Sequence, residues 1–188
     1  MSTTYQKTVS ENTTMIEATE VIAETERLRL RTLSLHDAAF YLELVNDPSF
    51  INNIRDKGIR SIADAEAAIQ TGHQEIQAKF GYSLYLIETK EVACSIGLCG
   101  LVRRDQLPGI DLGYALLPNF WRQGYAEEAC RAVINLAHKQ LKEKQLYAIV
   151  SPHNLASSKL LEKLGFQFHE TLDWTDGPVL FYSLTFTD

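Results

Sequence analysis

Apolar and charged residues alternate through Thr25-Glu26-Arg27-Leu28-Arg29-Leu30-Arg31, the period-two pattern of a strand with one buried face. Order is expected to begin near Thr25. Residues 1–22 are rich in Ser, Thr and Glu and carry little apolar periodicity, so they are expected to form a flexible leader to one domain over residues 23–188. Helical spacing follows in residues 35–45, with Ser34 as N-cap and Asn46-Asp47-Pro48 as the stop, and again in residues 62–79, where Ser61 and Asp64 make a capping box. Residues 52–60, polar and glycine-containing, read as a loop.

Three strands follow in residues 82–88, 93–102 and 110–117, an antiparallel meander by their close succession. In the third, Ile110, Leu112, Tyr114 and Leu116 face one way and Asp111, Gly113 and Ala115 the other. After Pro118 the period turns helical through Ala126, Cys130, Val133, Ala137 and Leu141. A short buried strand at 146–150, a helix at 154–164 stopped by Gly165, and a closing strand at 179–186 complete the chain. No internal repeat is present. The fold class is α+β, a central mixed sheet flanked by helices, and that alone does not give a function.

Composition narrows the field. With 188 residues, 45% of them hydrophobic, the chain can close one substantial core. No run of about 18 apolar residues and no secretory signal is visible, so a soluble, cytoplasmic protein without membrane contact is expected. Three cysteines, Cys94, Cys99 and Cys130, show neither a C-x-x-C pair nor zinc-finger spacing; they are expected as reduced thiols in the core. The five histidines are scattered and H-E-x-x-H is absent, so no metal is expected. A net charge of −6 without a Lys/Arg cluster argues against nucleic-acid binding and suits a cationic acceptor such as an amine.

The chemistry concentrates in Leu116-Leu117-Pro118-Asn119-Phe120-Trp121-Arg122-Gln123-Gly124-Tyr125-Ala126, a strand end, a short loop and a helix start. A helix start presents N–H groups without intrahelical partners and the positive end of the helix dipole, which together attract an anion. Gly124 lets the backbone come close to a phosphate, and the small Ala126 leaves room for it. Such a strand-turn-helix is also a common structural unit.

This stretch resembles the pyrophosphate loop of the GNAT acetyltransferase superfamily, [QR]-x-x-G-x-[GA], with Gly124 and Ala126 at its last two marked positions. Trp121 stands at the first, similar to the W-x-x-G-Y-A form of the branch that acetylates ribosomal-protein N-termini. A second block, Asn154-Leu155-Ala156-Ser157, continued by Glu162-Lys163-Leu164-Gly165-Phe166, resembles the N-x-x-[SA] and E-K-x-G-F segments of the same family. The resemblance extends from Thr25 to Phe186. It implies a GNAT-like, mostly antiparallel sheet and acetyl-CoA as co-substrate, held by Leu116, Leu117, Arg122, Gln123, Gly124, Tyr125, Ala126, Asn154 and Ser157.

By the same resemblance Leu116 pairs its backbone with the pantetheine arm, Asn154 reaches that arm, and Asp111 matches the acidic position of the branch's E-[IL]-G-Y strand, making it the candidate base. Asp111 also reads as a solvated charge on the strand's outer face, and Asn154 as an ordinary cap. Many relatives carry a tyrosine acid seven residues after the Asn, where this chain has Leu161. Ser157 or Tyr114 is left as the acid, against a helix-cap role for the first and a core role for the second. Glu127 and Glu128 read as favourable first-turn charges.

The expected reaction is direct transfer of acetyl from acetyl-CoA to a primary amine, a protein or peptide N-terminus, without a covalent enzyme intermediate. Two alternatives stand beside it: acetylation of a small amine such as an antibiotic, polyamine or amino acid, and non-catalytic acyl-CoA binding. Residues 46–60 and 103–109 are the loops expected to frame the acceptor. A monomer or homodimer is expected.

Overall fold

A computed structural model describes residues 19–187; most of the expected leader, residues 1–18, lies outside the described residues. Its last part does not. Strand β1 (Val21–Glu24) pairs antiparallel with β2 (Leu28–Arg31), so order starts before Thr25. β1 is a half-exposed edge strand of only four residues, too short for its periodicity to stand out.

The helices that follow differ from expectation at their ends. A short 3-10 turn precedes α1 (Ala38–Asn46), which stops at Asn46 as expected, and Pro48 also starts a second helix that was not expected. Asp47 caps α2 (Pro48–Asn53) by accepting from the Ser49 amide at 2.8 Å, with Pro48 at the first helical position, where its missing N–H costs nothing. The helix expected at 62–79 is α3 (Ile62–Ile69), a π-helical turn over Gln70–Gln74, and α4 (Glu75–Phe80), ended by Gly81 in the left-handed region. Its capping box forms as read: Ser61 Oγ accepts from the Asp64 amide and Asp64 accepts from the Ser61 amide.

β3 (Leu84–Thr89), β4 (Ser95–Arg103) and β5 (Ile110–Leu116) form the expected meander. Helix α5 (Tyr125–Lys139) crosses over to β6 (Gln145–Val150), which runs parallel to β5; α6 (Leu155–Lys163) leads to β7 (Gln167–Leu172) and β8 (Val179–Thr185). β7 was not expected, because it is an edge strand exposed along nearly its whole length and lacks an apolar face. The sheet has the order β1-β2-β3-β4-β5-β6-β8-β7 and is antiparallel except at β5–β6.

Each face of the sheet carries its own core. Leu28, Leu30, Tyr85, Leu112 and Leu146 pack with Cys130, Val133 and Ala137 of α5, while Leu86 and Leu98 pack with Tyr41, Leu44 and Ile69 on the α1–α3 side. Cys99 and Cys130 are buried free thiols 3.8 Å apart, and Cys94 is half-buried. No helix among the described residues is long and apolar enough to cross a membrane.

Candidate active site

β5 and β6 share a single register pair, Asp111 with Tyr147; beyond it the ladder stops. On its other edge β5 stays paired with β4 to the end, and the Leu117 amide donates to the Ile96 carbonyl at 3.0 Å. Polar backbone groups alternate in direction along a strand. Those of Tyr114 and Leu116 therefore point away from β4, into the gap between β5 and β6. A strand with one edge unpaired is a place where an extended, amide-containing chain can add hydrogen bonds.

Trp121 sits across the mouth of this gap. Its indole N–H donates to the Leu116 carbonyl at 2.7 Å, which occupies the acceptor and leaves the Leu116 amide for a ligand. The side chain at the first marked loop position thus supports the strand end.

Past Trp121 the chain turns through Arg122 (φ +60°) and Gly124 (φ +82°) into α5. Glu128 donates the first intrahelical bond, to the Gly124 carbonyl, and the amides of Gln123, Gly124, Tyr125, Ala126 and Glu127 bond to none of the described residues. This is a cradle of free N–H groups at the positive end of a 15-residue helix. Two first-turn carboxylates would repel an anion here, but both are paired. Glu127 accepts from Arg131 at 3.0 Å and Lys163 at 2.5 Å, and Glu128 is held by Thr25 and Arg27. Arg27 also donates to the Gln123 carbonyl at 2.9 Å and lies 4.5 Å above the Tyr125 ring. Among the expected cofactor residues, Arg122 has an exposed side chain without a described partner, and Gln123 Nε2 donates to the Asn119 carbonyl at 2.9 Å. In sequence Arg27 is one charge of an alternating strand; nothing local ties it to a helix about a hundred residues away.

Across the gap, Asn154 caps α6. Its Oδ1 accepts from the Ser157 amide at 3.1 Å, and its Nδ2 bonds to none of the described residues. The cap uses the Ser157 backbone only, so the Ser157 hydroxyl is free of that role. That hydroxyl accepts from Tyr114 Oη at 2.8 Å, bringing two expected site residues together and linking β5 to α6 over the gap. Burial raises the Tyr114 phenol well above the usual tyrosine range, with the Ser157 bond acting in the opposite direction. Leu161, where many relatives carry a tyrosine, is 1% exposed in the core.

Asp111 is not the solvated charge that one reading allowed: it is 1% exposed. Arg104 Nε reaches both its carboxylate oxygens at 3.1 and 3.2 Å. Burial pushes the carboxyl up to about 6, with Arg104 limiting the rise. Strand alternation puts Asp111 on the face opposite Tyr114, and three residues of strand separate them by roughly 10 Å. Base and acid candidates therefore approach the gap from different sides. Arg104 lies in one of the loops expected to frame the acceptor, but its tie to Asp111 was not foreseen.

Two cavities flank these elements. The larger, about 360 Å³, lies between β1 and α5, away from the gap. The smaller, about 280 Å³, lies where the loops after α2, after β4 and after β7 meet, beside Arg104.

The family model for the acetyltransferase (GNAT) domain matches residues 27–167. This chain belongs to the GNAT acetyltransferases. It is 35% identical to the uncharacterized N-acetyltransferase p20 of Bacillus licheniformis over 76% of this chain and 80% of that one. Among solved structures it is similar to RimL, the ribosomal L7/L12 α-N-protein acetyltransferase in complex with coenzyme A, with a TM-score of 0.78, 16% identity, and 88% of this chain and 98% of that chain covered. It is also similar to MccE, the microcin C7 self-immunity acetyltransferase in complex with acetyl-CoA and AMP, with a TM-score of 0.74, 17% identity, and 86% and 94% covered. The protein is an acetyl-CoA-dependent N-acetyltransferase, and its acceptor is an amine.

Proposed function

We propose that this acetyltransferase acts on the N-terminal amine of a peptide or protein, with acetyl-CoA held by the α5 cradle and along the unpaired edge of β5. The observation that carries this reading is the gap itself. A free strand edge is bounded by unclaimed amides at one end and by a hydroxyl pair on one side, with a buried carboxylate on the other face. The likeness to RimL and the W-x-x-G-Y-A form of the loop support an N-terminal acceptor.

Acetyl-CoA supplies the activated acetyl thioester. The amides of residues 123–127 hold phosphate oxygens, with Gly124 keeping the turn open. The Leu116 amide and Asn154 Nδ2 receive the pantetheine arm, and the Tyr114 amide, facing the gap, polarises the acyl carbonyl. Asp111, ionised at neutral pH, takes the proton of the incoming ammonium through water. Ser157 delivers a proton to the departing sulfur and is resupplied by Tyr114, whose high pKa keeps it protonated. Nothing in this arrangement calls for a covalent acyl-enzyme.

A small-amine acceptor is the second reading, favoured by the likeness to MccE and by the modest cavity beside Arg104. CoA release measured over N-terminal peptides and small amines decides between them. Turnover of small amines alone would remove the N-terminal assignment.

A further inference from the structure

The loop between α2 and α3, residues 54–61, carries three cations and one acid, Asp56, and their pairing is uneven. Arg60 Nη2 takes Asp56 at 2.5 Å, and the Asp64 carboxylate is spent on the amides at the start of α3. Arg55 and Lys57 are left without an acidic partner among the described residues. Lys57 is half-buried, with Nζ 3.1 Å from Tyr41 Oη and above the rings of Tyr41 and Phe50. Burial together with the nearby charges of Arg55 and Arg104 pushes its ammonium down to about 8. His73, edge-on to Tyr41, is held neutral by burial and by Lys57, so it adds no charge to the cluster.

This cation cluster lies beside the chemistry. Arg55, Arg103, Arg104 and Trp174 line the smaller cavity, and Arg104 is bonded to Asp111. A His153 ring nitrogen lies 3.0 Å from the Asn52 carbonyl, tying the end of α2 to the turn that enters α6 and Ser157. Two carboxylates, Asp105 and Asp176, also line the cavity, but both are exposed, where water screens them. Lys57 and Arg104 sit further in, and charges in a drier setting interact more strongly. Arg104 has its counter-charge in Asp111, but Arg55 and Lys57 have none among the described residues; like charges so gathered raise each other's free energy, and an incoming anion relieves that cost. In a chain of net charge −6, such a cluster runs against the overall balance.

We infer that Arg55 and Lys57 form an anion-recognition subsite of the acceptor site. The acceptor is then an amine that carries a carboxylate or phosphate a few bonds away, seated on this pair while its nitrogen points toward Asp111. This rests on the reading of the protein as an amine acetyltransferase using the β5–β6 gap, and it narrows the acceptor's chemistry.

The test uses matched pairs of acceptors and the exposed Arg55, whose replacement leaves the core untouched. C-terminally amidated tetrapeptides beginning with serine, followed by two glutamates or two glutamines, form one pair; free serine and serinamide form the other. The subsite predicts kcat/KM at least about tenfold higher for the anionic member of one pair, carried by KM, and a ratio falling to near one in Arg55→Glu. The peptide pair responding identifies side-chain carboxylates of a peptide as the source, and the serine pair identifies a small amino acid. Turnover of both members at equal rates, or a ratio unchanged in Arg55→Glu, overturns the subsite while leaving the enzyme reading intact. Calorimetry on the CoA-saturated protein separates the two ideas: anionic members that bind in an Arg55-dependent way without turnover keep the subsite and sink the amine-transfer reading, whereas no binding and no turnover sinks both.

Discussion

Arg27, in the turn between β1 and β2, holds Glu128 of α5 in a two-sided grip: its backbone amide and its guanidinium both donate to that carboxylate, at 2.9 and 2.7 Å. The same guanidinium donates to the Gln123 carbonyl. Arg27 thereby pairs an acid beside the free amides at the start of α5 and fixes the peptide unit that carries the Gly124 amide. The side chain is 44% exposed, so the pair adds only ~0–1 kcal/mol to folding. Arg27→Ala is accordingly expected to lower Tm by a few degrees at most. Hydrogen bonds to charged groups are worth ~1.5–3 kcal/mol, so KM for acetyl-CoA should rise roughly 10- to 100-fold while kcat holds. Steady-state kinetics with thermal melts checks this. A large loss of Tm with unchanged KM would make the grip purely structural.

Gly124 is the hinge of the cradle. At φ +82° any L side chain is strained, by ~1–2 kcal/mol, and a Cβ there would lie 3.2 Å from Arg27 Nη2. Gly124→Asp also adds negative charge among the free amides. The apo variant should fold with a modestly lower Tm and lose the rise in Tm that acetyl-CoA gives the wild type, since a ligand stabilises only the state it binds. An undiminished ligand-induced shift, read by differential scanning fluorimetry, would move the phosphate site elsewhere.

Elements defined by strong local patterns were legible in sequence: the β3–β4–β5 meander, the start of α5, and the Asn154 cap. What was not legible depends on partners distant along the chain. Asp111 on an alternating strand gives no sign of whether its face is covered, or that Arg104, in the loop after β4, closes on it. Arg27 reads as one charge among four in a row, and only the fold brings it to Glu128. β1 and β7 are edge strands with little or no apolar face, so periodicity is silent about them. Pro48 shows how one local signal carries two meanings: Asn46-Asp47-Pro48 serves both as the end of one helix and as the capped start of the next.

The Ser157 hydroxyl can be tested without disturbing its helix, because Asn154 makes the cap through the Ser157 amide. Ser157→Ala should retain acetyl-CoA affinity and Tm while lowering kcat roughly 10²-fold, the lower range for a positioned acid. Tyr114→Phe removes the resupplying hydroxyl and should cost less, with Ser157 still able to draw a proton from water. In the double variant the losses should fail to add, since both groups serve one proton path. Independent, multiplicative losses would mean that the two hydroxyls act separately.

Asp111 couples chemistry and stability to pH in opposite senses, which makes it separable from a structural acid. As the base it must be ionised, so with its carboxyl near 6 the rate should rise with pH through an apparent pKa of about 6. Its folded pKa lies above the ~3.9 of an unfolded aspartate, so the folded state binds this proton more tightly than the unfolded one. The associated stability is fully present below about pH 4 and is lost as pH rises through 6. Asp111→Asn keeps the shape and removes the charge; Arg104, one-third exposed, can turn to water. The variant should therefore lose at least about tenfold in kcat at pH 7 and keep its acetyl-CoA affinity. Its Tm relative to wild type should be higher at pH 8 than at pH 5, where the wild-type carboxyl is mostly protonated. The catalytic deficit should shrink at high pH, where the acceptor amine sheds its own proton. A variant that turns over normally at pH 7, with the inflection near pH 6 still present, would remove Asp111 from the mechanism and leave the proton to another group on the acceptor side.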